Sequence, residues 1–515
     1  MEGSSVIKLN KQQPRCASRG KSAGEYSSFP SLEYVKLILM FSKDFEIGTC
    51  ARLEAWTNRC NALVRFRLPV RGEEGMYFQG RCRQHQGSAG SVGRPLWSPI
   101  DEAMKLYVEV THTEQSDLHT GIQRVVRNVL RHLLDLGSEN GINVLPVIFR
   151  SGSFVVVSPE RVFGPKAHRS RPGSGKWLAR LVSALPRRVR RFVEVRFGSS
   201  VAKLMRAEPK EKHVLLLLDA SWGYEIWPTI ELLKTRGLCV ISVIYDLIPV
   251  THAHTVVESL TSAFDHWLQG QIQFADCIVC ISRSMAEVVQ NHFREKMLSM
   301  RMSRSILVST FYLGAELDAL NGGASVQEKI LRLKGVASPI FLMVGTIEPR
   351  KNHRHVFEAF KKLWARGIDA RLAIVGARDW KTDDLLAELG EHPEMGRRML
   401  LIRDASDADL KWLYENATAL IMASQVEGFG LPIVEARQMG LPVICSDIPV
   451  FAELAVAGTE FFRLGDVDDL ARVILVHLAL PHTRSRAKGG WINWRESSQQ
   501  LLVAVRQAAG DAGIH

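Results

Sequence analysis

Two carboxylates, Glu427 and Glu435, stand on either side of a glycine turn in SQVEGFGLPIVEARQMGLPVICS, residues 424–446. The apolar run ATALIMAS before it reads as a strand, so Ser424 to Gly430 forms the loop at its carboxyl end. Pro432 suits the first turn of the helix that follows, and Gly428 and Gly430 let backbone N–H groups approach a ligand closely. A helix N-terminus favours an anion such as a diphosphate. Two acids beside it cannot serve to hold phosphate, because like charges repel. Carboxylates accept hydrogen bonds from hydroxyls, so the pattern suits a ligand with hydroxyls on both sides of its phosphates, which is the anatomy of a nucleotide sugar. A second stretch, VGTIEPRKN (344–352), runs from a strand through Gly345 to Arg350 and Lys351, just before another helix. Cations there oppose the helix dipole, so a negative group must compensate, and a diphosphate clamped by both is the expectation.

The elements that position these groups alternate. Continuous apolar strands read at INVLPVIF (142–149), HVLLLLDA (213–220), CVISVIYDL (239–247), DCIVCIS (276–282) and SILVSTF (305–311), with helical stretches between them. A break at NGGASVQEK (321–329) precedes a second set: PIFLMVGT, ARLAIVGA, RMLLIRD, ATALIMAS and LPVICS. Strands apolar along their length and separated by helices predict parallel sheets covered on both faces. The expected fold class is α/β, two doubly wound units facing a cleft, with ligands at the carboxyl ends of the strands. The expected divisions are an irregular extension over 1–103, a first unit over 104–325, a second over 326–490, and a C-terminal helix over 491–515 that returns to the first. Met104 is expected as the functional beginning, because periodic structure starts there, with Ile122, Val125, Val126, Val129, Leu130 and Leu133 on one helix face.

At 515 residues, 46% hydrophobic and 23% charged, the composition is that of an ordinary globular protein. No apolar run approaches the roughly 20 residues of a membrane span, and the first residues lack the apolar region of a signal peptide. Cys277 and Cys280 lie within one apolar strand and read as core thiols, so a reducing cytoplasm is the default. The net charge of +12 is concentrated over 166–196, where ten Lys or Arg face one acid, Glu194. That segment reads equally as a basic amphipathic helix on the inner membrane face or as a solvated loop and helix. Asp466-Val-Asp468 and the run Asp404 to Asp409 read as helix starts rather than metal ligands.

These stretches resemble glycosyltransferase family four, the "group 1" retaining transferases of GT-B fold, over roughly residues 105 to 505. EGFGLPIVEARQMGLPVICSD is similar to the family's acid–GFG–LP–acid run, VGTIEPRKN to its phosphate segment, TGIQRVVRNVL (120–130) to its GGxxR loop and helix, and ADCIVCISRSMAEVV (275–289) to its serine-capped strand and helix. WINWRESSQQLL resembles the final helix. By that resemblance Arg350 and Lys351 bind the donor diphosphate, Glu427 binds hydroxyls of the donor sugar, and Glu435 binds the ribose. Backbone groups around Gly345, Thr346, Gly428, Phe429, Gly430 and Leu431 hold sugar and phosphate, while Gly121 lets the first domain approach the donor. Glu427, Arg350, Lys351 and Asp246 would carry the catalysis. The resemblance implies no metal cofactor, and retention through an oxocarbenium-like state. The mannosyltransferase branch is the nearest in wording, with GDP-mannose the expected donor, a saccharide or polyprenyl-linked acceptor, and no nucleic acid partner. Three positions depart from the pattern: Thr346 where a basic residue often stands, Tyr245 before Asp246 where a histidine is usual, and Ala423 in place of proline. His252 or His254 is a candidate to replace the missing histidine. Two competing expectations remain, a sugar-nucleotide epimerase of the same fold and a catalytically inactive basic binding module.

Overall fold

The computed structural model describes residues 65–67, 77–79, 103–116, 121–163, 200–317, 325–335, 337–377, 382–456, 458–480 and 491–511. The expectations for the extension over 1–103, apart from two short strands and Ala103, and for the basic segment 166–196 lie outside the described residues. Strand β1 (Arg65–Arg67) pairs antiparallel with β2 (Tyr77–Gln79), in a unit of its own.

From Met104 onward the chain builds two sheets. The first contains β3 (Met104–Glu109), β4 (Ile142–Arg150), β5 (Ser153–Val156), β6 (Lys212–Leu217), β7 (Cys239–Ile244), β8 (Cys277–Cys280) and β9 (Leu307–Thr310), in the order β5-β4-β3-β6-β7-β8-β9. All neighbours are parallel except β5, which returns antiparallel beside β4. The second contains β10 (Ile340–Val344), β11 (Arg371–Val375), β12 (Met399–Ile402), β13 (Ala419–Met422), β14 (Val443–Ser446) and β15 (Thr459–Phe462), parallel throughout in the order β12-β11-β10-β13-β14-β15. β3 and β7 are buried at every position, the signature of strands covered on both faces. The fold is thus two doubly wound α/β units. Strands β5 and β15 were not anticipated. Both lie at sheet edges and are short and partly exposed; the apolar run of β5 is only Phe154 to Val157, and β15 opens with Thr459 and Glu460.

Strand order reverses between β3 and β6 in the first sheet and between β10 and β13 in the second. Crevices open at such points, outside the carboxyl ends of the strands. Helix α1 (Gly121–Glu139) follows β3 and buries Val125, Val126, Val129, Leu130 and Leu133 against the first sheet. Helix α2 (Arg283–Ser299) follows β8, with Ser282 as its cap. In the second unit α3 (His353–Ala365), α4 (Asp407–Asn416), α5 (Leu431–Gln438) and α6 (Pro449–Leu454) cover the sheet. The final helix α7 (Trp494–Asp511) packs on α1, and Arg495 Nη2 lies 2.8 Å from Glu139 Oε1. Its first residue, Trp494, is buried over Gly314, where an added Cβ would lie 2.6 Å from the Trp494 backbone nitrogen.

The thiols of Cys277 and Cys280 are buried in β8 and form no disulfide, as core residues. Asp466 caps the helix Val467–Ala479 by accepting from the Asp469 backbone N–H at 2.9 Å, and Ser406 with Asp409 forms a capping box on α4. Both acidic runs therefore act as helix starts. Among the described residues no helix is long and apolar enough to cross a membrane.

Candidate active site

The loop after β13 is built around two glycines with different duties. Gly430 has φ +115° and caps α5, a conformation that side chains rarely adopt. Gly428 has no such need. Its constraint is contact with the first unit, since an added Cβ would stand 1.9 Å from the Tyr245 carbonyl oxygen. The Ser282 hydroxyl, also from the first unit, donates to the Gly428 carbonyl at 2.8 Å. Phe429 is buried, its ring 6.3 Å from Tyr312 and 6.0 Å from Trp491 by centroids. Leu431 begins α5 and is half-buried.

Opposite this loop, β10 runs into Gly345 (φ +151°), then Thr346, then a tight 3-10 turn over Pro349–Lys351. Asn352 takes left-handed φ of 59° and α3 starts after it. The cations that seemed to oppose the α3 dipole therefore sit on the preceding turn, and acids of the protein itself compensate them. Arg350 Nη1 lies 2.9 Å from Glu427 Oε2, and Arg350 Nη2 lies 2.7 Å from Glu348 Oε1. Lys351 forms an ion pair with Glu427 Oε1, which also accepts from the Ser424 hydroxyl at 2.7 Å. Burial alone would raise the Glu427 carboxyl, but Lys351 and Arg350 outweigh it and hold it down at about 2. Burial likewise disfavours the Arg350 charge, yet Glu427, Glu348 and Asp246 together raise its proton affinity. Asp246, at the carboxyl end of β7, is pushed upward by burial against the opposing pull of Arg350. Its Oδ1 accepts from the Ile248 backbone N–H at 3.0 Å. The neighbouring His353 is buried and kept neutral, its pKa lowered to about 3 by burial and then by Lys351.

Asp246, Glu348 and Arg350 form the charged end of a cavity of about 170 Å³ whose other walls include Trp222, Phe264 and Trp267. Tyr245, in the position of the usual histidine, points its hydroxyl away to the Leu218 carbonyl at 2.7 Å. Neither His252 nor His254 lines this cavity. A Cβ added at Gly121 would meet nothing within 4 Å, so packing in this state does not require glycine there.

Glu435 stands apart from the Arg350–Lys351–Glu427 cluster. Its side chain is 4% exposed, and its oxygens accept from Arg124 Nη1 on α1 and from the Tyr414 hydroxyl on α4, each at 2.7 Å. Arg124 is 311 positions away in the chain, which is why sequence spacing did not find it.

Two further features were missed. Glu453 on α6 accepts from the backbone N–H groups of Arg283 and Ser284 at 2.8 Å and from the Ser284 and Tyr312 hydroxyls at 2.6 and 2.8 Å, so a side chain of the second unit caps α2 of the first. Glu109 ends β3 and Asp219 stands two residues past the end of the neighbouring β6, both buried. The Thr111 N–H donates to Glu109 at 2.7 Å, and the Ala220 N–H donates to Asp219 at 2.8 Å. Burial, and then Asp219, pushes the Glu109 carboxyl up to about 8; burial also raises Asp219. An acid closing an apolar run (LYVE, LLLLD) was the available signal.

Residues 330–489 match the family described as glycosyl transferases group 1. The serotype-specific mannosyltransferase WbdA of Escherichia coli is 32% identical over 405 residues, 77% of this chain and 44% of that protein. The O-antigen chain mannosyltransferase RfbU of Salmonella typhimurium is 34% identical over 146 residues, 28% of this chain and 40% of that protein. The chain thus spans less than half the length of these curated relatives. The crystal structure of an α,α-trehalose 6-phosphate synthase from Burkholderia multivorans superposes with a TM-score of 0.51 at 13% identity, covering 80% of this chain and 100% of that one, which shows a shared fold. With its two doubly wound units and its Glu427–Glu435 loop and helix, the chain is similar to the group 1 glycosyl transferases, whose family its residues 330–489 match.

Proposed function

We propose that the protein is a retaining mannosyltransferase of cell-surface polysaccharide synthesis. It would move mannose from a nucleotide diphosphate sugar, GDP-mannose as the first choice, to a saccharide or polyprenyl-linked acceptor. The observation that carries this reading is the Arg350–Lys351–Glu427 cluster at the β10/β13 switch point, facing Asp246 of the first unit. Relatives over most of the chain are named mannosyltransferases, which supports the choice of sugar.

The roles follow from charge. Arg350 and Lys351 neutralise the departing diphosphate, the electrostatic contribution that matters most when charge develops on a leaving group. Glu427, held ionised beside them, accepts from hydroxyls of the donor sugar. Asp246, half-buried at the cavity end, contacts sugar or acceptor. Glu435 accepts from ribose. On this reading Arg350 and Lys351 take the place of a metal at the leaving group. The aromatic walls of the adjacent cavity provide an apolar surface for the acceptor, and packed walls exclude water that would hydrolyse the donor. The protein works in the cytoplasm, with the 166–196 segment as a peripheral contact to the membrane.

Thermal shift of the full chain against GDP-, UDP- and ADP-sugars in EDTA tests the reading. A ligand that binds only the folded state raises the melting temperature by mass action. Stabilisation by GDP-mannose, with release of GDP on addition of a mannan-type acceptor, is the expected result. Stabilisation by a UDP- or ADP-sugar alone would overturn the donor, and no shift with any of them would overturn the site.

A further inference from the structure

We infer that Arg124 and Tyr414 are positioning residues for the ribose subsite, so that this subsite is assembled from both units of the fold. The inference rests on the reading of Glu435 as the ribose acceptor. A carboxylate has two oxygens and about four lone-pair sites. Arg124 Nη1 occupies one site on Oε1, and the Tyr414 hydroxyl occupies one on Oε2, each at 2.7 Å. Each oxygen keeps a lone pair, and two oxygens on one rigid carboxylate match the two adjacent hydroxyls of a ribose. Because the Glu435 side chain is 4% exposed and the Arg124 side chain 16% exposed, water competes poorly for these bonds.

The two anchors come from different places. Tyr414 rides on α4 of the second unit, the same unit as Glu435. Arg124 rides on α1 of the first, one turn after Gly121. Its other terminal nitrogen reaches the Glu316 carbonyl at 3.3 Å. The same carbonyl accepts from the Trp494 indole N–H, and the Glu316 carboxylate accepts from the Trp494 backbone N–H, each at 3.1 Å. Arg124 is thereby tied to the point where α7 crosses back onto the first unit. Ribose recognition then requires Arg124 to be in contact, and a second unit swung away would present Glu435 with one anchor only.

The experiment compares binding of GDP and 2′,3′-dideoxy-GDP to the wild type, R124M, R124K and Y414F, by calorimetry on the full chain. The wild type should favour GDP by about a hundredfold or more, the effect of two hydrogen bonds to a charged acceptor. R124M should reduce that preference to about threefold or less while leaving dideoxy-GDP affinity unchanged. R124K should restore part of the preference, and Y414F should lower it independently of any change at Arg124. An R124M protein that keeps the wild-type preference would overturn the inference. So would one that binds GDP more tightly, since Arg124 would then compete with ribose. A wild type with no preference would instead sink the assignment of Glu435 to ribose, and Arg124 with it. Circular dichroism and melting temperature confirm the fold of each variant. If R124M fails to fold, the Y414F result decides.

Discussion

Replacing Glu427 by glutamine tests the central ion cluster directly. The amide keeps the size and one acceptor oxygen but loses the charge that faces Arg350 at 2.9 Å and pairs with Lys351. The Glu427 side chain is 9% exposed, so little solvent screening dilutes the interaction. A carboxyl held at about 2 instead of 4.5 is bound in its ionised form more favourably in the folded than in the unfolded chain. At roughly 1.4 kcal/mol per pKa unit, that preference is worth about 3 kcal/mol. Since the folded value is depressed, the contribution is fully present above pH 4.5 and is lost as pH falls through about 2. E427Q should therefore unfold at lower urea than wild type at pH 7, by an amount equivalent to about 3 kcal/mol. The gap should hold to about pH 5 and shrink steadily below it. Unfolding of both proteins followed by tryptophan fluorescence at several pH values between 7 and 3 measures this. Equal midpoints at pH 7, or a gap indifferent to acid, would refute the claim that these cations hold Glu427 in place. The same variant should lose turnover far more than donor affinity if Glu427 meets the reacting sugar.

Other outcomes follow from neighbouring features. Gly428→Ala should force the loop off the Tyr245 carbonyl, 1.9 Å from the new methyl, and small-angle scattering should show a larger radius of gyration with transfer strongly reduced; an unchanged radius with normal transfer contradicts this. Glu109 is raised to about 8, so the folded protein keeps a proton that the unfolded chain releases, and stability should fall as pH rises from about 4.5 to 8. E109Q should remove up to about 1.4 kcal/mol per pH unit of that slope, measured by urea unfolding at pH 6 and pH 8. Glu453→Ala strips three hydrogen bonds from the start of α2 and one from the Tyr312 hydroxyl, and should cost about 2 kcal/mol, read by the same unfolding assay.

Much of the architecture was legible because parallel strands buried on both faces leave continuous apolar runs, as HVLLLLDA and PIFLMVGT do. The edge strand β15 leaves a weaker mark: TEFF is polar at its start and partly exposed, whereas the edge strands β9 and β12 were still readable in SILVSTF and RMLLIRD. The loop between Ser424 and Gly430 was legible because glycine, proline and paired acids form a local pattern. What the loop touches was not. The demand for negative charge near Arg350 and Lys351 could be read from helix electrostatics, but Glu427, which meets it 77 positions downstream of Arg350, could be assigned only when β10 and β13 were seen side by side. Gly428 illustrates the same limit. Its type was read as serving a ligand; the structure adds that it admits the backbone of the other unit. Arg124 and Glu453 lie beyond local reasoning, because each acts across the cleft on a partner far along the chain.

The Ser282 hydroxyl bound to the Gly428 carbonyl has a directional effect on the next residue. A trans peptide plane points its carbonyl and the following N–H in opposite senses. Pinning the carbonyl toward the first unit therefore aims the Phe429 N–H back toward the second, where α5 begins. One hydroxyl thus orients a hydrogen-bond donor that it never touches. Once that hydroxyl withdraws, the plane is free to rotate and the donor loses its aim.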